Sequence, residues 1–303
     1  MMKYQKILIR KWIDADSCRE IKKLEKLCLE HEGIHLKLEL DYKLAASSTA
    51  EDHLVDKANE FLYYIDEMLV GYLGINDFGG SALEVNGMVH PEYRKQGVFK
   101  ALFSLAVDQW QKRKPGIMLL LSDSRSNSGI SFIESTGAKY DHTEYDMTLS
   151  DMLYNEASRA GKGLVLRAAV NEDSDEISRQ NAIYFNEGID EQEPLDIEEE
   201  LRRGFHIFIA QLDGKPIGKT HLHIANGEGG IYGLGVVPEE RGKGFGRELL
   251  ITSVEKLKEL GADKIFLQVD AENDNALSLY KSAGFVETHS MRYYKLDKKG
   301  RDV

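Results

Sequence analysis

The stretch "VVPEERGKGFGRELL", residues 236–250, decides how the chain is read. An apolar run ends at Pro238. Arg241 and three glycines, Gly242, Gly244 and Gly246, then lead into residues with helical apolar spacing. The start of a helix leaves backbone N–H groups unpaired and carries the positive end of the helix dipole. Glycines let a ligand approach that backbone closely. A strand, a glycine-rich turn and a helix start together make a cradle for an anion, and the spread of three glycines suits a diphosphate. Arg241 and Lys243 add positive charge at its rim. A plain strand-to-helix connection can look the same, and the G-x-x-x-x-G-K-[ST] spacing of a P-loop is absent.

A weaker copy, "MVHPEYRKQGVFKAL", stands at 88–102. Arg241 minus Arg94 is 147, and so is Gly244 minus Gly97, Pro238 minus Pro91 and Gly284 minus Gly137. Upstream the offset changes: "LVLR" at 164–167 resembles "ILIR" at 7–10, and Arg167 minus Arg10 is 157. A constant offset over more than fifty residues marks an internal duplication. The expectation is two tandem domains, 1–150 and 151–303, joined through "SDMLYNEASRAGKG" at 150–163, which can carry some helix.

Periodicity gives the elements of the second half. A strand is expected at about 163–169, a helix in "EISRQNAIYFNE" and a short helix in "IEEELRRG" closed by Gly204. "HIFIAQL" and "KPIGKTHLHIA" alternate around "DGKP", a hairpin signal. "GIYGLGVV" is the next strand. A helix at about 246–260 shows one apolar face in Leu249, Leu250, Val254, Leu257 and Leu260, with Gly261 as its stop. "KIFLQV" is a strand, "NDNALSLYKSAG" a helix that Asn273 or Asn275 can cap, and "MRYYKL" the last strand. The fold class is α/β, with a mixed, mostly antiparallel sheet flanked by helices in each half.

Hydrophobic residues make up 42% and charged residues 30% of the 303, the balance of a soluble globular protein. No apolar run reaches the ~18 residues of a membrane span, and the first ten residues hold no apolar signal core, so a cytoplasmic location is expected. A formal net charge of −12 argues against a nucleic-acid partner and is compatible with a cationic substrate. Cys18 and Cys28 lie ten apart in one expected helix, as free thiols with no metal or redox spacing.

The two motifs resemble those of the GNAT superfamily of N-acetyltransferases. Arg241-Gly242-Lys243-Gly244-Phe245-Gly246 matches its Arg/Gln-x-x-Gly-x-Gly/Ala signature. Asn273, Ala276, Leu279-Tyr280 and Gly284-Phe285 match its second signature on the following helix. The resemblance covers both halves and implies a tandem GNAT protein, a pseudo-dimer within one chain that is compatible with a monomer. It implies acetyl-CoA as acyl donor, held by Val236, Val237, Arg241, Gly242, Lys243, Gly244, Phe245, Gly246, Arg247 and Asn273. The strand at 231–237 would splay from "KIFLQV" to take the pantetheine arm, and the N–H near Val236 would polarise the thioester carbonyl. Tyr280 would protonate the leaving thiolate, although "LSLY" also reads as an apolar helix face with Tyr280 in the core. The acceptor would be a primary amine on a small molecule or peptide. No metal is implied.

An amine of pKa about 10.4 is only ~0.1% neutral at pH 7, so a proton acceptor is needed. Glu228, His221, His223, Glu187 and Asp190 are candidates, each also readable as solvated or structural. His221 and His223 do not make a metal site, since no third ligand suggests itself. The first half has Phe99 at the Gly246 position, Ile133 at the Tyr280 position and Ser126 at the Asn273 position; Phe132, next to Ile133, has no proton to give either. Glu84, opposite Ile231, is a base-like position. The expectation is a first domain without acetyl transfer, binding coenzyme A weakly or not at all, and a catalytic second domain. A protein that binds acyl-CoA without turning it over is the alternative.

Overall fold

The computed structural model describes residues 4–48, 57–77, 81–154, 161, 163–185 and 195–298. The chain divides into two compact units. One is Met1–Thr143 together with His289–Val303; the other is Glu144–Thr288.

In the first unit, β1 (Gln5–Arg10), β2 (Glu60–Ile65), β3 (Met68–Asn76), β4 (Ala82–Val89) and β5 (Ile117–Asp123) lie side by side in that order, and β12 (Phe285–Asp297) follows β5. Only the β4–β5 pair is parallel; β1–β2, β2–β3, β3–β4 and β5–β12 are antiparallel. Four helices cover the sheet: α1 (Ala15–Glu32), α2 (Leu40–Ser48), α3 (Val98–Trp110) and α4 (Asn127–Ser135). The Asp14 carboxylate accepts the N–H of Ser17 to start α1, and Gly33, at φ 62°, ends it. Ile21, Leu24 and Cys28 of α1 pack on Leu62, Tyr72 and Met88. Leu102, Ala106 and Trp110 of α3 pack on Phe61, Leu73, Leu83 and Val85. Both cysteines are buried free thiols.

The second unit repeats the plan. β7 (Val165–Ala168), α5 (Ser174–Phe185), α6 (Ile197–Arg202), β8 (Phe205–Leu212), β9 (Lys215–Ala225), β10 (Glu228–Val236), α7 (Phe245–Glu259), β11 (Lys264–Asp270) and α8 (Asp274–Ser282) follow in chain order. The strands run β11-β10-β9-β8-β7, with β10–β11 parallel. Asp213 and Gly214, at φ 49° and 78°, make the tight β8–β9 turn that "DGKP" signals. The expected apolar face of α7 is buried at Leu249, Leu250, Val254 and Leu257. Leu260 departs from it: α7 ends at Glu259, and Leu260 is 40% exposed just beyond the last turn. In the linker, a turn covers 151–153; residues 155–160 and 162 lie outside the described residues.

The last strand of each repeat lies in the other repeat's unit. β6 (Lys139–Leu149) pairs through Glu144–Thr148 with β11, and Met147 is fully buried in the second unit's core. β12 pairs through Met291–Asp297 with β5, and Tyr294 enters the first unit's core. The sequence repeat and the compact units therefore divide the chain at different places. Alternation identifies a strand but not its neighbour, and two copies of one fold offer each closing strand two similar edges.

Candidate functional site

β10 and β11 are paired only from Glu228–Ile231 against Lys264–Leu267, although β10 runs on to Val236 and β11 to Asp270. The strands thus part beyond Ile231. Between Tyr232 and Gly235 the β9–β10 register also shifts: three steps along β10 match two along β9, a bulge. Val236 and Val237 are buried with Phe245 and Leu249. The Val237 N–H is given to Ile217 O at 2.9 Å.

The turn after Val237 is one 3-10 turn, Pro238–Glu240, and then the glycines. Arg241 Nε donates to Val236 O at 2.9 Å and folds the turn back on its own strand. Gly242 and Gly244 hold φ of 72° and 89°, and a Cβ at Gly242 would meet nothing within 4 Å. Gly244 is the N-cap of α7 and supplies no side-chain cap, whereas Asn273 caps α8 by accepting the N–H of Ala276. The first-turn donors of α7 thus have no side-chain cap, which fits an incoming anion. Gly246 is not strained; a Cβ there would touch Leu279 at an ordinary 3.6 Å. Lys243 pairs with Glu240 at 3.0 Å. Arg247 bonds Ser282 Oγ and O, tying α7 to the end of α8. The Phe245 side chain is committed to the core.

Tyr280 is 8% exposed, packed among Ile231, Leu277 and Phe285, and burial pushes its phenol up to about 12. It is a protonated group at neutral pH. Among the candidate bases, Glu228 pairs with Lys264 at 2.9 Å on the surface. His223 packs on Phe205, ring centroids 4.5 Å apart. His221 lies 3.3 Å from Lys219 Nζ, and burial together with that ammonium holds its imidazole well below its ordinary value. Glu187 and Asp190 lie outside the described residues. Lys219, fully buried on β9, and Tyr184, packed over Gly235, were not singled out in the sequence. The signal for them was the pair of glycines inside the strand "GIYGLG", since a glycine in a strand interior marks a bulge or a close approach.

The first unit keeps the frame. β4 and β5 pair only from Ala82–Val85 against Ile117–Leu120 and then part. Arg94 Nε donates to Val89 O at 3.0 Å, and Gly97, at φ 83°, starts α3 without a side-chain cap. Ser126 caps α4 as Asn273 caps α8. Phe99 stands edge-on to Phe132, centroids 4.8 Å apart, where the second unit has Gly246 and Leu279. Ile133 is buried in the core. A cleft of about 880 Å³ remains, lined by Asn86, Gly87, Arg94, Gly97, Phe99 and Ser126 among others.

Residues 174–285, which hold both motifs, match the acetyltransferase (GNAT) family. The second half is a GNAT domain. Among curated relatives, mycothiol acetyltransferase of Kocuria rhizophila is 34% identical over 94 residues, 29% of this chain and 31% of that protein. The same-named protein of Thermobispora bispora is 39% identical over 85 residues, 26% of this chain and 29% of that one. Each match thus spans under a third of the relative. A GCN5-related N-acetyltransferase of Sphaerobacter thermophilus superposes with a TM-score of 0.74 at 18% identity, covering 98% of both chains. A tandem GNAT protein from the clavulanic acid biosynthesis pathway does so at 0.74 and 16%, covering 99% of this chain and 100% of its own. These establish a tandem GNAT fold over the whole chain.

Proposed function

We propose that the second GNAT domain transfers an acetyl group from acetyl-CoA to a primary amine by direct attack. The observation that carries this is the uncapped start of α7 behind two left-handed glycines, next to a split between parallel strands. The bound donor supplies an activated acyl carbon. Gly242, Gly244 and Gly246 leave the α7 donors open to its diphosphate, with Lys243 at the rim. Arg241 keeps the turn in shape. The β10 backbone upstream of Val237 lies along the split, where the acyl carbonyl needs a donor. As the amine bonds to the acyl carbon and the C–S bond breaks, Tyr280 Oη gives its proton to the departing sulfur, and the amine's proton leaves to water or a nearby base.

The relatives' name joins acetyl transfer to mycothiol; the acceptor here is a primary amine on a small molecule or peptide, to be found by screening amines with acetyl-CoA and reading released thiol. Binding without transfer is the second reading, and the open cleft in the first unit favours it for that unit.

Three variants test the assignment of the site. Gly246→Glu adds a carboxylate to the cradle at a position without backbone strain, and Gly244→Glu adds one at the helix start. Both are expected to lower coenzyme A affinity at least tenfold by calorimetry and to abolish transfer. Gly97→Glu, in the first unit, is expected to keep transfer on the same acceptor. The reverse pattern would assign the reaction to the other unit.

A further inference from the structure

Lys219 is completely buried on β9, beside the place where β10 leaves β11. Its Nζ donates to Gly233 O at 3.1 Å, lies 3.3 Å from His221 Nε2 and sits 5.5 Å from the centre of the Tyr184 ring. Tyr184, at the end of α5, donates to Gln180 Oε1 at 2.8 Å and lays its ring over Gly235. The glycines of "GIYGLG" follow from these two side chains. Gly233 holds φ 53°, and a Cβ there would come within 2.9 Å of Lys219 Nζ; a Cβ on Gly235 would come within 2.4 Å of the Tyr184 ring. The lysine, the tyrosine and the two glycines form one fitted piece around the bulge.

Burying an ammonium is costly, and an apolar side chain of the same length would fill the space without that cost. What the charge does here is set by its partners. His221 Nε2 lies beside it, and the ammonium gives a hydrogen bond to the Gly233 carbonyl. A peptide whose carbonyl accepts a charge-assisted hydrogen bond becomes a better donor through its own N–H, and the N–H of that peptide belongs to Leu234, inside the bulge.

We infer that Lys219, seated on His221, is a positioning residue for the reaction proposed above: it locks the bulge of β10 at the strand split and polarises the Gly233–Leu234 peptide there. The inference rests on the second-domain reading, and it separates from it experimentally, because the lock can be read without turnover.

The test compares the full-length protein with Lys219→Met, Gly233→Ala and the double variant. Hydrogen exchange of the 232–236 amides is followed with and without coenzyme A, along with thiol release on the acceptor found by screening. Lys219→Met is expected to speed exchange of these amides at least tenfold while the β8–β9 amides keep wild-type rates. Its kcat is expected to fall at least tenfold with coenzyme A affinity within threefold, because the diphosphate cradle is untouched. Gly233→Ala, which drives the ammonium off its carbonyl, is expected to do the same, and the double variant to lose little more, as residues acting through one contact do. If Lys219→Met does not fold, Gly233→Ala carries the same readouts. Wild-type exchange across 232–236 in a folded variant overturns the lock. A kcat and an affinity that fall together, with exchange faster throughout the unit, overturn positioning in favour of plain stability. A wild-type protein with no turnover on any amine would sink the acetyltransferase reading and leave the lock to the exchange data.

Discussion

Arg241 and Arg94 have the same occupation in the two units. Each gives its Nε to the last strand carbonyl, Val236 or Val89. The signature arginine is thus first a turn-former, and its presence in both copies follows from shape. Tyr280 and Ile133 differ in the opposite way: both fill a core position, and only one carries a proton. Tyr280→Phe keeps the packing against Phe285 and removes that proton. Turnover is expected to fall about 10²–10⁴-fold, the usual contribution of a general acid, with acetyl-CoA affinity changed less than threefold by calorimetry; near wild-type turnover would return Tyr280 to a packing role. At this scale the sequence was legible where backbone conformation demands a residue type, as at Gly242, Gly244 and the Asn273 cap. It was not legible for Lys219, whose partner Gly233 O is brought to it by a bulge that alternation alone does not locate.

Among the elements, α1 carries a charge in an awkward place. Burial pushes the Glu25 carboxyl up to about 7, with Asp41 adding to the rise and Lys22 opposing it. Its folded value lies above the ordinary 4.5, so no penalty exists below pH 4.5, where the acid is protonated in both states. The penalty grows as pH rises and is complete above pH 7. Glu25→Gln is therefore expected to stabilise the first unit by about 1–2 kcal/mol at pH 8.5 and hardly at all at pH 4, in urea melts followed by a first-unit probe; each pKa unit corresponds to about 1.4 kcal/mol, less the solvent screening at a part-exposed site. A benefit that is equal at both pH values would refute the assignment. Elements were read well from sequence where a stop residue enforces the end, as Gly204 and Gly284 do. At Gly284, φ is 100° and a Cβ would run into Leu153 and Tyr154 within 3.0 Å. The apolar spacing misleads at Leu260, the C-cap of α7, which keeps its hydrogen bond to Lys256 O but is 40% exposed.

For the whole molecule, the 147-residue offset announced two copies, and the tandem fold bears it out. Which closing strand went to which copy was invisible, because β6 and β12 are equivalent in pattern. The first unit depends on the chain's last segment: Met291, Tyr293 and Tyr294 are all buried there. Ending the chain at Thr288, the last residue of the second unit, is expected to remove about 5 kcal/mol or more from the first unit, at roughly 1.5–3 kcal/mol per large buried side chain. Exchange of β4 and β5 amides should then quicken while β8 and β9 amides hold; equal loss in both units would contradict the exchange. The same connection sets an order during synthesis. A ribosome delivers residues 1–143 before 144–288, yet leaves them without a closing strand until Met291–Asp297 emerge. The second unit, complete at Thr288, is finished while the first still waits. Of the two units, the one begun first is finished last, with the edge of β5 open to a chaperone, or to another nascent chain, while the whole second unit is made.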